Sequence, residues 1–122
     1  MREYEVSVLK LPASTTDAGV TGSYVDMQGY LQGNREVKLL LIGGAGTTAG
    51  TISGSVQSAE DTSGTGLATL KTFTGLTSAG GVEAQHAVIP AAHRYVRFLG
   101  DVETGKDMIV GALIQGVARV SP

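Results

Sequence analysis

His86 and His93 are the only histidines in the chain, and they stand on either side of Pro90. Imidazoles that share a metal usually come as HxH or HExxH, because such spacing sets both rings on one face of a strand or helix. A separation across a proline brings the two rings together only if the chain folds back, with Asp17, Asp26 or Glu83 completing the set. His86 falls in the alternating set Val82, Ala84, His86 and Val88, so it reads as a packed core or edge residue, while His93 reads as the start of the next strand. Serine and threonine are too abundant for their pairing with histidine to be informative, and no GxSxG elbow occurs. With no cysteine there is neither a disulfide nor a thiolate ligand. No catalytic residue, metal or cofactor is expected.

Three further segments carry polar or glycine-rich chemistry. Gly43 to Gly50 (GGAGTTAG) follows an apolar run as a phosphate-cradling loop would, but it lacks the closing lysine of a P-loop. It also leads into a strand pattern and not into a helix whose N-terminus could hold phosphate. Glu60 to Gly64 offers oxygens without the spacing or closing glutamate of a calcium loop, and reads as a solvated reversal. Arg94, Tyr95, Arg97 and Phe98 form the strongest polar-aromatic cluster. In a regular strand Arg94 and Arg97 point to opposite faces, which argues against a joint nucleic-acid patch. One is expected to lie on the sheet's apolar rim or pair with an acid, the other to face a protein partner, where Arg and Tyr are enriched.

The elements that must position these residues are strands. Tyr95, Arg97, Leu99 and Asp101 alternate with Arg94, Val96, Phe98, Gly100 and Val102, the period of two of a half-buried strand. Glu103 to Lys106 then reverses the chain into a second alternating run from Met108 to Val120, which predicts a closing hairpin. Tyr4 to Leu11 predicts a first strand ended by Pro12; apolar residues on both of its faces suit contact with a partner as well as the core. Ala13 to Ser23 reads as a polar loop, Tyr24 to Met27 as a short strand, and Gly29 to Arg35 as a turn or docked loop. Glu36 to Ile42, the densest apolar run, predicts a central strand covered on both faces. Thr51 to Ser58 and Val82 to Val88 supply further strands, and Leu67 to Thr74 reads either as another strand or as a partly irregular segment. About eight short strands between glycine-rich turns predict an all-β, antiparallel jelly roll or β-sandwich. One domain over residues 1–122 is expected, with 1–12 and 117–122 as extended terminal segments.

Composition agrees. A chain of 122 residues can bury one core without staples. Aromatics make up 5% with no tryptophan, so that core must come from Val, Leu, Ile and Ala. Eighteen glycines disfavour long helices and suit turns. A formal charge of −2 argues against general nucleic-acid binding, which depends on neutralising phosphates. No apolar run approaches the ~20 residues of a membrane span, and the first residues lack a signal-peptide core. A soluble, cytosolically made protein without membrane or nucleic-acid partners is expected.

In order and local wording the chain resembles the capsid cement (decoration) proteins of tailed phages. The segments are SYVDM (Ser23 to Met27), EVKLLLIGGAGTTAGTISGSVQSAED (Glu36 to Asp61) and IPAAHRYVRFLGDVETGKDMIVGALIQG (Ile89 to Gly116). Alanine-glutamate-aspartate-threonine from Ala59 departs from the Asp-Gly that often follows that strand in the family. The resemblance implies a jelly roll without catalytic residues that binds the outside of a bacteriophage head. Its partner would be the major capsid protein, it would act as a homo-oligomer, and it would reside on the virion exterior after synthesis in the host cytoplasm. Tyr4, Leu9, Leu11, Arg94, Tyr95 and Arg97 are the candidate protein-interface residues, with the first strand expected to contribute.

Three other readings compete with the cement role. A carbohydrate- or receptor-binding β-sandwich usually offers aromatic platforms, but this chain has no tryptophan and only four tyrosines and two phenylalanines, which counts against that reading. Another phage component, such as a tail or head-completion protein, shares the V-Q-S and R-Y-V-R wording. A cupin-type enzyme needs more clustered histidines than two.

Overall fold

The computed structural model describes residues 2–16, 20–27, 35–45, 50–77, 81–103 and 106–119. Among them are nine strands: β1 (Arg2–Thr16), β2 (Val20–Thr21), β3 (Val25–Asp26), β4 (Glu36–Ala45), β5 (Ile52–Ala59), β6 (Ala68–Thr72), β7 (Gly81–Val88), β8 (Tyr95–Val102) and β9 (Asp107–Arg119). They form an all-β, antiparallel sandwich. One sheet runs β1-β9-β4-β7; the other runs β2-β8-β5-β6, with β3 also paired to β8.

Alternation places the core between the sheets. Val37, Leu39 and Leu41 of β4 and Met108, Val110, Ala112 and Ile114 of β9 point inward from the first sheet. Ile52 and Val56 of β5 and Val96, Phe98 and Val102 of β8 meet them from the second. Among the described residues Phe98 is the largest fully buried side chain. Directly beside it, Gly54 and Gly100 face each other across β5 and β8. A Cβ on Gly54 would stand 2.7 and 2.9 Å from two Phe98 ring atoms, and one on Gly100 would collide with the same ring. These glycines make room for an aromatic ring laid against backbone, a use of glycine within strands that sheets tolerate where the approach is close. Phe73, tilted at 58° with its centroid 6.5 Å away, closes the other side of the ring.

Several expectations change. β8 and β9 are not a hairpin: they belong to different sheets, and Glu103 to Lys106 carries the chain from one to the other. Each strand has a full apolar set, and packing those sets face to face buries both, which edge-to-edge pairing would not. Pro12 does not end the first strand. It sits where the β1–β9 register shifts between Lys10 and Ala13, an irregularity on an edge strand that accommodates a missing N–H. Residues 2–12 are thus part of a sheet strand, as are 117–119. The polar stretch from Ala13 supplies the end of β1 and also β2. β4 extends to Ala45 through the first two glycines of the loop, and its outer face is covered only in part, with Glu36 and Lys38 exposed and Leu40 and Ile42 half-buried. Gln28 to Asn34 and Gly46 to Ala49 lie outside the described residues.

β7 inverts its expected face. Register with β4 sets Glu83 against Leu41 and Gln85 against Leu39, so Val82, Ala84, His86 and Val88 point outward and are exposed. The apolar set is left in solvent because the polar set has a stronger claim on the seam between the sheets. There the Glu83 carboxylate accepts hydrogen bonds from the Thr74 and Gly75 N–H groups, each at 2.7 Å, and from Gln85. Partial burial alone would raise its pKa, but these donors outweigh that and leave it below the ordinary glutamate value.

Two outcomes follow from this packing. Gly100→Ala should destabilise the protein by about 1–3 kcal/mol by overpacking Phe98, read as a lowered urea midpoint. Gly44→Ala, whose Cβ meets nothing within 4 Å, should change stability by less than about 0.5 kcal/mol. Because the Glu83 pKa is depressed on folding, its contribution is complete above the ordinary glutamate value and is lost as pH falls toward the depressed one. Denaturation midpoints measured down that acid range should fall less steeply in Glu83→Gln than in the unaltered protein.

Candidate functional site

The outward face of the β2-β8-β5-β6 sheet gathers the chain's polar-aromatic residues. Phe98 points inward, so Tyr95, Arg97 and Leu99 point outward and are half-buried. β3 pairs with β8 so that Val25 faces Val96 and Asp26 faces Tyr95, which brings Tyr24, just before β3, to the level of Arg97. The Arg97 guanidinium lies 4.9 Å from the centroid of the Tyr24 ring. On the other side β5 sets Gln57 opposite Arg97, and Arg97 Nε donates to Gln57 Oε1 at 3.0 Å. Tyr24, Arg97 and Gln57 therefore form a row across three strands.

A second cluster stands beside it. Arg94 Nε and Nη2 donate to the two oxygens of Asp26 at 2.8 and 2.7 Å, a fork-on-carboxylate pair. The same guanidinium lies 5.4 Å from the Tyr95 centroid. The Asp26 hydrogen bonds, with a smaller Coulombic contribution, raise the Arg94 pKa above its ordinary value. Arg94 was expected on the face opposite Arg97. It precedes β8 instead of lying in it, and its reach to Asp26 puts both guanidiniums beside the outward tyrosines.

The turn after β5 borders this face. The Asp61 carboxylate accepts from Thr65 Oγ1 at 2.6 Å, from the Ser63 N–H at 2.9 Å and from the Thr65 N–H at 3.1 Å. Those donors, led by the Thr65 hydroxyl, hold its pKa below the usual value. A carboxylate enclosed by N–H and O–H donors is the anchor of a chain reversal, not a calcium ligand. Gly64, at φ +89°, packs near the Tyr24 hydroxyl, where an added Cβ would come to 3.3 Å. Turn and ring thus locate each other.

The two histidines do not meet. His86 is exposed on the outward face of β7, paired with Lys38 of β4. His93 is buried in the segment before β8, where its Nδ1 shares a 2.6 Å hydrogen bond with the buried Ser58 hydroxyl. Among the described residues no group of three His, Asp or Glu is arranged to hold a metal. Sequence reasoning missed Arg35. From a positive φ of 63° it sends Nε to the Ile89 carbonyl at 2.8 Å and Nη2 to the Pro90 and His93 carbonyls. One guanidinium clasps the segment that delivers Arg94 and Tyr95. Of the other expected interface residues, Tyr4 pairs with Val117 of β9, while Leu9 and Leu11 fall at the two register shifts of β1. Their side chains lie outside the described residues.

No protein-family model matches the sequence, and no curated protein matches it. Solved structures do match in fold. The first is the Clostridium thermocellum N-terminal endo-1,4-β-D-xylanase 10B, its CBM22-1 and GH10 modules complexed with xylohexaose, at 12% identity and TM-score 0.53. The match covers 97% of this chain and 25% of that one, so the chain spans about a quarter of the length of that xylanase fragment. The second is the C-terminal family 22 carbohydrate binding module of the same Clostridium thermocellum enzyme, at 15% identity and TM-score 0.50, covering 99% of this chain and 86% of that module. At these identities the likeness establishes a shared sandwich fold.

These matches overturn the capsid cement expectation, and with it the major capsid protein as partner, the assignment to a phage virion and the location on a capsid exterior. The physical reason lies in the segments that carried the resemblance. Y-V-R-F is the out-in alternation of β8, and V-Q-S is the same alternation in β5. Any sandwich strand with a polar outer face repeats that wording, so it reports architecture and not a capsid.

Arg35→Ala should cost about 2 kcal/mol and loosen the 89–93 segment. In a nitrogen-15 amide spectrum the largest shifts should then fall at His93, Arg94 and Tyr95, with β4 and β9 little changed.

Proposed function

We propose that this chain is a non-catalytic carbohydrate-binding module whose ligand lies along the outward face of the β2-β8-β5-β6 sheet. The observation that supports this most is the convergence there of Tyr24 and Tyr95 with the planar polar groups of Arg97, Gln57, Asp26 and Arg94. Aromatic rings offer an apolar surface to the C–H faces of sugar rings, while their hydroxyls remain available for hydrogen bonds. Guanidinium, amide and carboxylate groups present donors and acceptors in fixed directions, which suits the hydroxyls at the margins of a sugar. The fold likeness to a carbohydrate binding module over nearly the whole chain supports the same reading.

The sandwich supplies the rigidity that weak, repeated contacts need. Tyr24 is held by Arg97 and the Gly64 turn, and Arg94 by Asp26, so little side-chain freedom is left to lose on binding. The partner is then a polysaccharide, and a xylan is the first to test, because one matched structure holds xylohexaose. Such a ligand implies an extracellular place of action.

Affinity electrophoresis through gels containing xylan, mixed-linkage β-glucan or no polymer tests the proposal. Retardation by at least one polymer is expected. Tyr95→Ala should weaken it about tenfold, as loss of an aromatic contact worth about 1.4 kcal/mol would, while the thermal midpoint stays near that of the unaltered protein. Unretarded migration across a broad polysaccharide panel would refute it.

A further inference from the structure

We infer that Arg97 makes this face selective for polysaccharides bearing carboxylates, the hexuronic acid class, an inference that rests on the carbohydrate-binding reading above. The two arginines of the face are in different states. Arg94 spends its fork on Asp26, and the pair is close to neutral. Arg97 spends only Nε, on the uncharged Gln57 amide oxygen. Among the described residues nothing accepts a hydrogen bond from its two Nη groups, and no carboxylate neutralises it.

The guanidinium is nevertheless oriented. Gln57 holds it at one edge, and the Tyr24 ring lies 4.9 Å from its central carbon. A half-buried, planar cation fixed along one edge presents its remaining N–H groups in the fork that matches a carboxylate's two oxygens. The nearby acidic groups do not fill that role. Asp26 is engaged by Arg94 and Asp61 by its own turn, and Asp101 is four residues along β8, about 13 Å away at the strand rise. A uronate placed over Arg97 would have Tyr24 and Tyr95 beside it to take the sugar faces of its neighbours in the chain.

Binding of glucuronoxylan and of the same polymer with its carboxyl groups chemically reduced to alcohols tests this, measured by titration calorimetry at low salt. The unaltered protein should bind the acidic polymer about tenfold tighter, with the difference shrinking as salt rises. Arg97→Gln should lose the discrimination, binding the acidic and the reduced polymer alike. Arg97→Lys, which keeps the charge but not the fork, should retain part of it. Equal binding of both polymers by the unaltered protein would overturn the role of Arg97 and leave the carbohydrate-binding proposal standing. Binding of neither, with the Tyr95→Ala variant indistinguishable from the parent on every polysaccharide, would overturn both. A discrimination that survives Arg97→Gln would also reject Arg97 as its source.

Discussion

The Phe98 ring seated on the Gly54–Gly100 pair is the constraint on which this molecule turns. It fixes the register of β8 on β5, because only where glycine faces glycine can the ring lie against the backbone. A slip of one residue would drive Phe98 into solvent and bring Arg97 into the core, since each step along a strand exchanges faces. With that register locked, Gln57 falls opposite Arg97 and Ala59 opposite Tyr95. The outward row is therefore a consequence of the inward packing. A face built this way needs no separate scaffold: the outward side chains alternate with those that hold the sheets together.

Loops are held by polar side chains that satisfy backbone groups, in a chain with no cysteine to crosslink them. Asp61 ties the turn after β5, Glu83 gathers the amides after β6, and Arg35 collects three carbonyls before β8. Among the described residues no buried side-chain nitrogen or oxygen lacks a hydrogen-bond partner. This matters for the site because two of these anchors, Arg35 and Asp61, lie at its borders. The Gly64 turn is packed by Tyr24, and the 89–93 segment leads into Arg94. Order in these connections is thus set by side chains placed where regular pairing ends, where orphaned backbone groups would otherwise need water.

Strand alternation was readable in β5 and β8 because their inner sets are apolar and their outer sets polar, and the all-β sandwich followed from that. It failed in β7, where the more apolar set faces solvent: hydrophobic period reports which residues share a face, and it cannot report that amides at Thr74 and Gly75 wait for Glu83. It also failed at the β8–β9 turn, because a short polar reversal looks the same whether the strands pair or part into two sheets. The site was half readable. Arg94, Tyr95 and Arg97 stand together in the chain, whereas Tyr24 and Asp26 are remote in sequence and arrive only through the β3–β8 pairing. Arg35 carried no signal at all, since its partners are backbone carbonyls. The family resemblance misled for a related reason: short alternating words are shared by unrelated sandwiches.

The titration shifts of Asp61, Glu83 and Arg94 all favour the charged form. A general acid or base needs a pKa moved toward the working pH, commonly by burial that disfavours the charged form. Asp61, Glu83 and Arg94 are all moved the other way, each by hydrogen bonds to the ionised group. A carboxylate held below its ordinary value is a poorer base near neutrality, and an arginine held above its own is a poorer acid. Their charges are consequently fixed features of the surface, as constant as its shape. Such groups are poorer proton shuttles near neutrality, and they hold an unvarying pattern of donors, acceptors and charge. On the outward face that pattern contains one neutralised arginine and one that is oriented without a carboxylate partner, set beside two tyrosines. The proposed selectivity of such a surface comes from whichever ligand group completes that second arginine.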